Sequence, residues 1–193
     1  MSSRFVLTLV HGWGMNARVF DALAERLAPR FDVRVHALPG HGGRAPLAAN
    51  TLSTWAADLL QRVPAGSALL GWSLGGQVAM RAALDQPGRL SHLILLASTP
   101  KFVAAPDWPH AMAMHDLDAF GEALLADPHA TLLRFLSLQT RGAPGQKALL
   151  QTLRQNLHAT PLPHADALAA GLAMLRESDL RAELPSLRLP TLV

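Results

Sequence analysis

Residues 68–84 constrain this chain more than any other stretch. Ala68-Leu69-Leu70 is short and apolar, as a buried strand would be. Gly71-Trp72-Ser73-Leu74-Gly75 follows, spelling G-x-S-x-G, and Gly76 through Leu84 reads as a helix. A strand that turns straight into a helix through this pattern is the setting of a nucleophile elbow. Such a turn holds one serine in strained backbone with its hydroxyl clear of the sheet. The flanking residues must be glycine because side chains there would strike the strand and helix beside them. The plainer reading of the same residues is a Gly-rich turn with a helix-capping serine.

A second loop favours the elbow. Phe5 through Val10 is a continuous apolar run, suited to a strand buried on both faces of a parallel sheet. His11-Gly12-Trp13-Gly14 follows it. A Gly-rich turn at a strand end can aim backbone N–H groups at a developing negative charge, which is the task of an oxyanion hole. The N–H groups of Trp13 and Leu74 are the expected donors, with Ser73 as nucleophile.

The elements on either side set the fold class. A helix is expected over 17–27, capped by Asn16 and ended near Pro29, then a strand over 33–37. Leu38-Pro39-Gly40-His41-Gly42-Gly43 must be a tight loop. Thr51 should cap a helix through Arg62 with Leu52, Trp55, Ala56, Leu59 and Leu60 as its buried stripe. Leu93 to Ala97 reads as another strand. Strands alternating with helices of this length predict an α/β fold with a mostly parallel sheet and helices on both faces. From about Pro100 to Asp179 no strand is expected. Helices fit 117–126, 131–138, 146–157 and 165–176, separated by Pro- and Gly-rich breaks. The parallel pattern resumes over 187–193. The expected organisation is a core over 1–100, a helical cap over 101–179 and a returning core over 180–193.

Composition excludes several classes. Half of the 193 residues are hydrophobic and 16% are charged, so a large core is available. There is no cysteine, hence no disulfide and no thiol chemistry. The net charge of +3 comes without a basic run or an aromatic-interleaved basic patch, which argues against nucleic acid. No apolar stretch reaches membrane-spanning length, and the N-terminal run is too short for a signal peptide. A soluble, cytoplasmic protein is expected.

With these motifs in place, the chain resembles the α/β-hydrolase superfamily. The likeness rests on His11-Gly12-Trp13-Gly14, Leu38-Pro39-Gly40-His41-Gly42 and Gly71 through Gly76. More narrowly it resembles the carboxylesterases of biotin synthesis that act on pimeloyl-acyl carrier protein methyl ester. That likeness rests on Trp72, Ala97-Ser98-Thr99-Pro100, Arg134 through Thr140, Gly171-Leu172 and Asp179-Leu180-Arg181. It implies an acyl-enzyme mechanism on Ser73 without cofactor or metal. It also implies substrate contacts from Trp13, Ser73, Leu74, Phe135, Leu136, Ser137, Leu138 and Gln139. Plain helix packing is the competing account of Phe135, Leu136 and Leu138. An acidic carrier protein would be met by basic residues of the cap: Arg134 and Lys147 by resemblance, joined by Arg141 and Arg154. A solvated helix surface explains any one of them equally well. The full-length protein is expected to be a monomer.

In the superfamily the order is serine, acid, histidine, with the last two after later strands. The chain is expected to stop within or just before the acid-bearing strand, as a C-terminally truncated form of the fold. The triad acid and base are therefore expected beyond Val193, and no internal histidine is assigned to either role. Other α/β-hydrolase chemistries (esterase, lactonase, carbon–carbon hydrolase) stay open. So does a non-catalytic binding module.

Overall fold

The two apolar runs read from the sequence lie at the middle of one sheet. The computed structural model describes residues 4–193. Phe5–Val10 forms β1 and Ala68–Trp72 forms β3, both sealed from solvent over most of their length. Phe31–His36 is β2, His92–Leu96 is β4 and Thr191–Leu192 is β5. The order is β2-β1-β3-β4-β5, and every pair is parallel. β1 thus sends the chain outward to β2, and β3 returns on its other side. This is the topological switch at which open α/β sheets bind ligands, beyond the carboxyl ends of the strands. Val10 pairs with Gly71, so the loops leaving β1 and β3 emerge side by side.

Helices cover both faces. On one lies α1, Asp21–Leu27, with Phe20 buried against Leu7 and Leu9. On the other lie α2, Leu52–Arg62, and α3, Leu74–Asp85. Trp55, Leu59, Val78 and Met80 supply much of that larger core. The α2 start agrees with its sequence. Thr51 Oγ1 accepts from the Thr54 N–H at 3.2 Å, and Thr54 Oγ1 accepts from the Thr51 N–H at 2.9 Å. The helix expected over 17–27 is divided instead. Residues Ala17–Phe20 form a 3-10 turn before α1 begins. Asn16 Oδ1 accepts from the Arg18 N–H at 3.0 Å, and this local bond favours the tighter turn.

Between β4 and β5 stand α4 (Met114–Ala126), α5 (Pro128–Gln139), α6 (Gln146–His158) and α7 (Ala165–Glu177). No strand occurs there among the described residues, only isolated bridges such as Lys101 with Asp179. These helices rest on the loops after β1 and β2. Trp13 Nε1 donates to the Leu168 carbonyl at 2.8 Å, and the His164 N–H donates to Gly40 O at 2.9 Å.

The last strand is shorter than the pattern over 187–193 predicts. A 3-10 turn at Leu184–Ser186 delays it, and Pro190 has no N–H to give the ladder. Its carbonyl still accepts from the Leu93 N–H at 3.0 Å. Only Thr191 and Leu192 pair, and Leu192 is left 66% exposed on the sheet's outer edge.

Candidate active site

Ser73 occupies the turn between β3 and α3 with φ 54° and ψ −121°. Ala97 is the other non-glycine residue with positive φ among the described residues. A side chain in that region is strained, and it is held by its surroundings. The Ser73 N–H donates to Leu96 O at 3.0 Å, and its carbonyl accepts from the Gly76 N–H at 2.9 Å. The hydroxyl makes no capping hydrogen bond, so a capping serine does not account for it. It faces a cavity instead.

The glycines are dictated by backbone approach. A Cβ on Gly71 would lie 2.5 Å from the Gly75 carbonyl oxygen. A Cβ on Gly75 would overlap the His11 carbonyl oxygen and lie 2.5 Å from that of Val10. Both obstacles at Gly75 are main chain of β1 and its loop, which cannot rotate aside. Gly75→Ala is therefore expected to destabilise the protein by about 3 kcal/mol, at the upper end for overpacking. Gly121→Ala is the control: nothing lies within 4 Å of that helical position. It should gain about 0.5–1 kcal/mol. Urea-unfolding midpoints of both variants check the pair.

The loop after β1 is fixed by His11, whose side chain is fully buried. Its Nε2 accepts from the Leu38 N–H at 3.1 Å, so the ring is neutral and Nδ1 carries the proton. Nδ1–H donates to the Gly12 carbonyl at 2.8 Å. Burial foremost, then the neighbouring His41, lowers the His11 pKa to about 3. The Gly12 carbonyl and the Trp13 N–H share one planar peptide and point opposite ways. Holding the carbonyl therefore aims the N–H. Neither the Trp13 N–H nor the Leu74 N–H donates to a backbone acceptor among the described residues. The two loops nearly touch: a Cβ on Gly12 would stand 3.1 Å from the Ser73 Cβ.

A cavity of about 390 Å³ opens over Ser73. Trp13, Phe102, Phe120, Phe135, Leu172 and Leu175 give it apolar walls. The Trp13 ring meets Phe120 and Phe135 edge-on, with centroids 5.3 and 5.1 Å away. Gly171 admits that indole, since a Cβ there would lie 2.6 Å from Trp13 Cδ1. Of the residues singled out in the sequence, Trp13, Ser73, Arg134, Phe135, Leu138, Gln139 and Leu172 line this cavity. Leu136 does not; it is 1% exposed within the core. Ser137 is not among the lining residues either. Helical geometry explains the split, because residues 135, 138 and 139 share one face of α5 and the residues between them turn away. The Leu74 side chain is also in the core, which leaves its N–H as its only group for the site. Phe102, Phe120 and Leu175 were not singled out. They come from segments far apart in sequence, and periodicity marks them only as apolar.

Among the described residues no histidine lines the cavity, and no group of three His, Asp or Glu side chains is placed to hold a metal ion. Among the described residues no helix is long and apolar enough to cross a membrane. Arg134, Arg141, Lys147 and Arg154 are exposed, and none is in an ion pair among the described residues.

Residues 9–193 match the profile of the alpha/beta hydrolase family. The chain belongs to that family. It is 42% identical over 186 residues, 96% of its own length and 72% of the relative's, to the pimeloyl-[acyl-carrier protein] methyl ester esterase of Vibrio vulnificus. A protein of the same name from Nitrosomonas europaea is 42% identical over 97% of the chain and 74% of its own length. Among solved structures, an esterase from Exiguobacterium antarcticum superposes with a TM-score of 0.82 at 23% identity, covering 99% of this chain and 73% of that one. A hydrolase from Pseudomonas aeruginosa gives 0.76 at 27% identity, covering 97% and 70%. This member of the family is thus kin to esterases, on an alpha/beta hydrolase fold.

Proposed function

We propose that this family member is a serine carboxylesterase that hydrolyses the methyl ester of pimeloyl-acyl carrier protein in biotin synthesis. The observation that carries the reading is the strained, glycine-framed Ser73 hydroxyl, facing an apolar cavity beside the uncommitted amides of Trp13 and Leu74. Ser73 Oγ attacks the ester carbonyl carbon, and the oxyanion is held by those two amides. Collapse breaks the bond to the methoxy oxygen, which leaves as methanol with the proton taken from Ser73. Water then attacks the acyl carbonyl, the bond to Ser73 Oγ breaks, Oγ takes back a proton drawn from that water, and the carboxylate leaves. The general base and its carboxylate, by the superfamily's order, belong to segments after β5. Trp13, Phe135, Leu138 and Gln139 flank the acyl chain. Helices α4 to α7 act as the cap over residues 101–179.

The carrier protein stays outside the cavity. Arg134, Arg141, Lys147 and Arg154 on the cap present uncompensated positive charge to its acidic surface, an attraction that salt screens over about 8–10 Å. The test compares methanol release from the carrier-bound methyl ester with hydrolysis of a small p-nitrophenyl ester, in the full-length protein. Reversing Arg141, Lys147 and Arg154 to Glu together should raise KM for the carrier substrate roughly tenfold or more. The small ester should be hydrolysed as before. An unchanged KM would remove the docking role. No methanol from the carrier-bound ester would remove the substrate assignment.

A further inference from the structure

Each of the two amides assigned to the oxyanion belongs to a peptide whose carbonyl is gripped from behind. For Gly12–Trp13 the side-chain grip is His11 Nδ1 at 2.8 Å. For Ser73–Leu74 it is Ser98, whose Oγ–H donates to the Ser73 carbonyl at 2.8 Å. We infer that Ser98 is a positioning residue that aims and polarises the Leu74 N–H, as His11 does for Trp13. The inference rests on the proposed role of Ser73.

Three observations set Ser98 apart from an ordinary loop serine. It follows Ala97, whose φ of 44° is left-handed without a glycine, and this bend precedes the residue that reaches the elbow. Gly76 leaves room for it: a Cβ there would overlap Ser98 Oγ and lie 2.5 Å from Ser98 Cβ. The segment also grips the elbow on either side, through the Ser73 N–H to Leu96 O and Gln77 Nε2 to Thr99 O, each at 3.0 Å. Of these bonds only the Ser98 bond falls on the carbonyl of the oxyanion peptide. A donor on that carbonyl fixes the tilt of the peptide plane, and it draws electron density from the amide so that the N–H donates more strongly. The Gly76 and Gln77 N–H groups also reach this carbonyl, at 2.9 and 3.3 Å, so the loss of Ser98 weakens the grip without abolishing it.

The test uses the full-length protein with Ser98→Ala and Ser98→Thr on a small p-nitrophenyl ester. Ser98→Ala should lower kcat about fivefold to tenfold with KM unchanged within twofold, as befits loss of part of one oxyanion donor. Ser98→Thr, which keeps the hydroxyl, should stay within threefold of the parent. Affinity for a trifluoromethyl ketone, whose adduct with Ser73 carries an oxyanion, should fall by the same factor as kcat/KM. Affinity for the free acid product should not move. Full ketone affinity in Ser98→Ala, or equal losses in the Ala and Thr variants, overturns the inference. Neither outcome touches the nucleophile, which is tested separately by Ser73→Ala; activity surviving that change would overturn the reading of Ser73 itself.

Discussion

Ser73→Gly is expected to abolish ester hydrolysis and, in the same protein, to raise resistance to heat. Removing the nucleophile of a serine triad lowers turnover by a factor on the order of 10⁶. Stability should move the other way. Ser73 holds φ 54° and ψ −121°, a region glycine enters freely and serine does not. Strain of this kind costs about 1–3 kcal/mol. Glycine forfeits about 0.5–1 kcal/mol through the freedom of the unfolded chain. No capping hydrogen bond of the Ser73 side chain is lost. The balance favours glycine by about 1 kcal/mol, or about 2–4 °C in melting temperature. Ser73→Ala isolates the cause. It is equally inactive but keeps a Cβ in the strained conformation, so it should melt below the glycine variant. A glycine variant that melts lower than the alanine one would show that the turn stores no strain. Turnover above a hundredth of the parent in either would take the nucleophile away from Ser73.

The same strain explains how much of the site could be read beforehand. A strained turn tolerates few sequences, so Gly71, Ser73 and Gly75 announce it in one dimension. The run from Phe5 to Val10 is legible for a similar reason, since a strand buried on both faces cannot alternate. The cavity wall is less legible. Phe102, Phe120 and Leu175 line the cavity over Ser73 from three distant segments, and nothing local marks an apolar residue as facing a cavity rather than a core. Contiguous reading even misleads over 135–139, where helical pitch turns Leu136 away from its neighbours. The role inferred for Ser98 is hidden further, because it depends on a hydroxyl crossing from one loop to the carbonyl of another. Element ends failed where side chains or proline compete with regular bonding, as at Asn16 and Pro190.

Acid should unfold this protein earlier than its carboxylates alone would require. Burial foremost lowers three histidines: His11 to about 3, His36 to about 4 and His41 to about 4, against an ordinary 6.5. Below 6.5 the unfolded chain takes up protons that the folded one refuses. Stability is therefore flat above that pH and declines as pH falls toward 4. Each such histidine contributes a slope of up to about 1.4 kcal/mol per pH unit. Three together approach about 4 kcal/mol per unit, against a typical total of about 5–15 kcal/mol. Asp58 enters later. Burial pushes its pKa up, but hydrogen bonds from Arg44 and Arg62 outweigh this and leave it below 3.8. Its contribution is present above the ordinary carboxylate range and is lost only as pH falls through and below that range. The histidines therefore dominate between pH 6.5 and 5. Urea midpoints at constant ionic strength should hold steady from pH 8 to 7 and fall steeply from 6.5 to 5. His36→Gln, which removes one of the three titrations, should flatten that fall by about a third. Because His11 must be neutral to accept from the Leu38 N–H, its protonation would release the loop bearing Trp13. A midpoint in urea that is unchanged at pH 5 would mean that these rings are hydrated and free to titrate in the native protein. His11 could not then be the fixed neutral donor that sets the Gly12–Trp13 peptide.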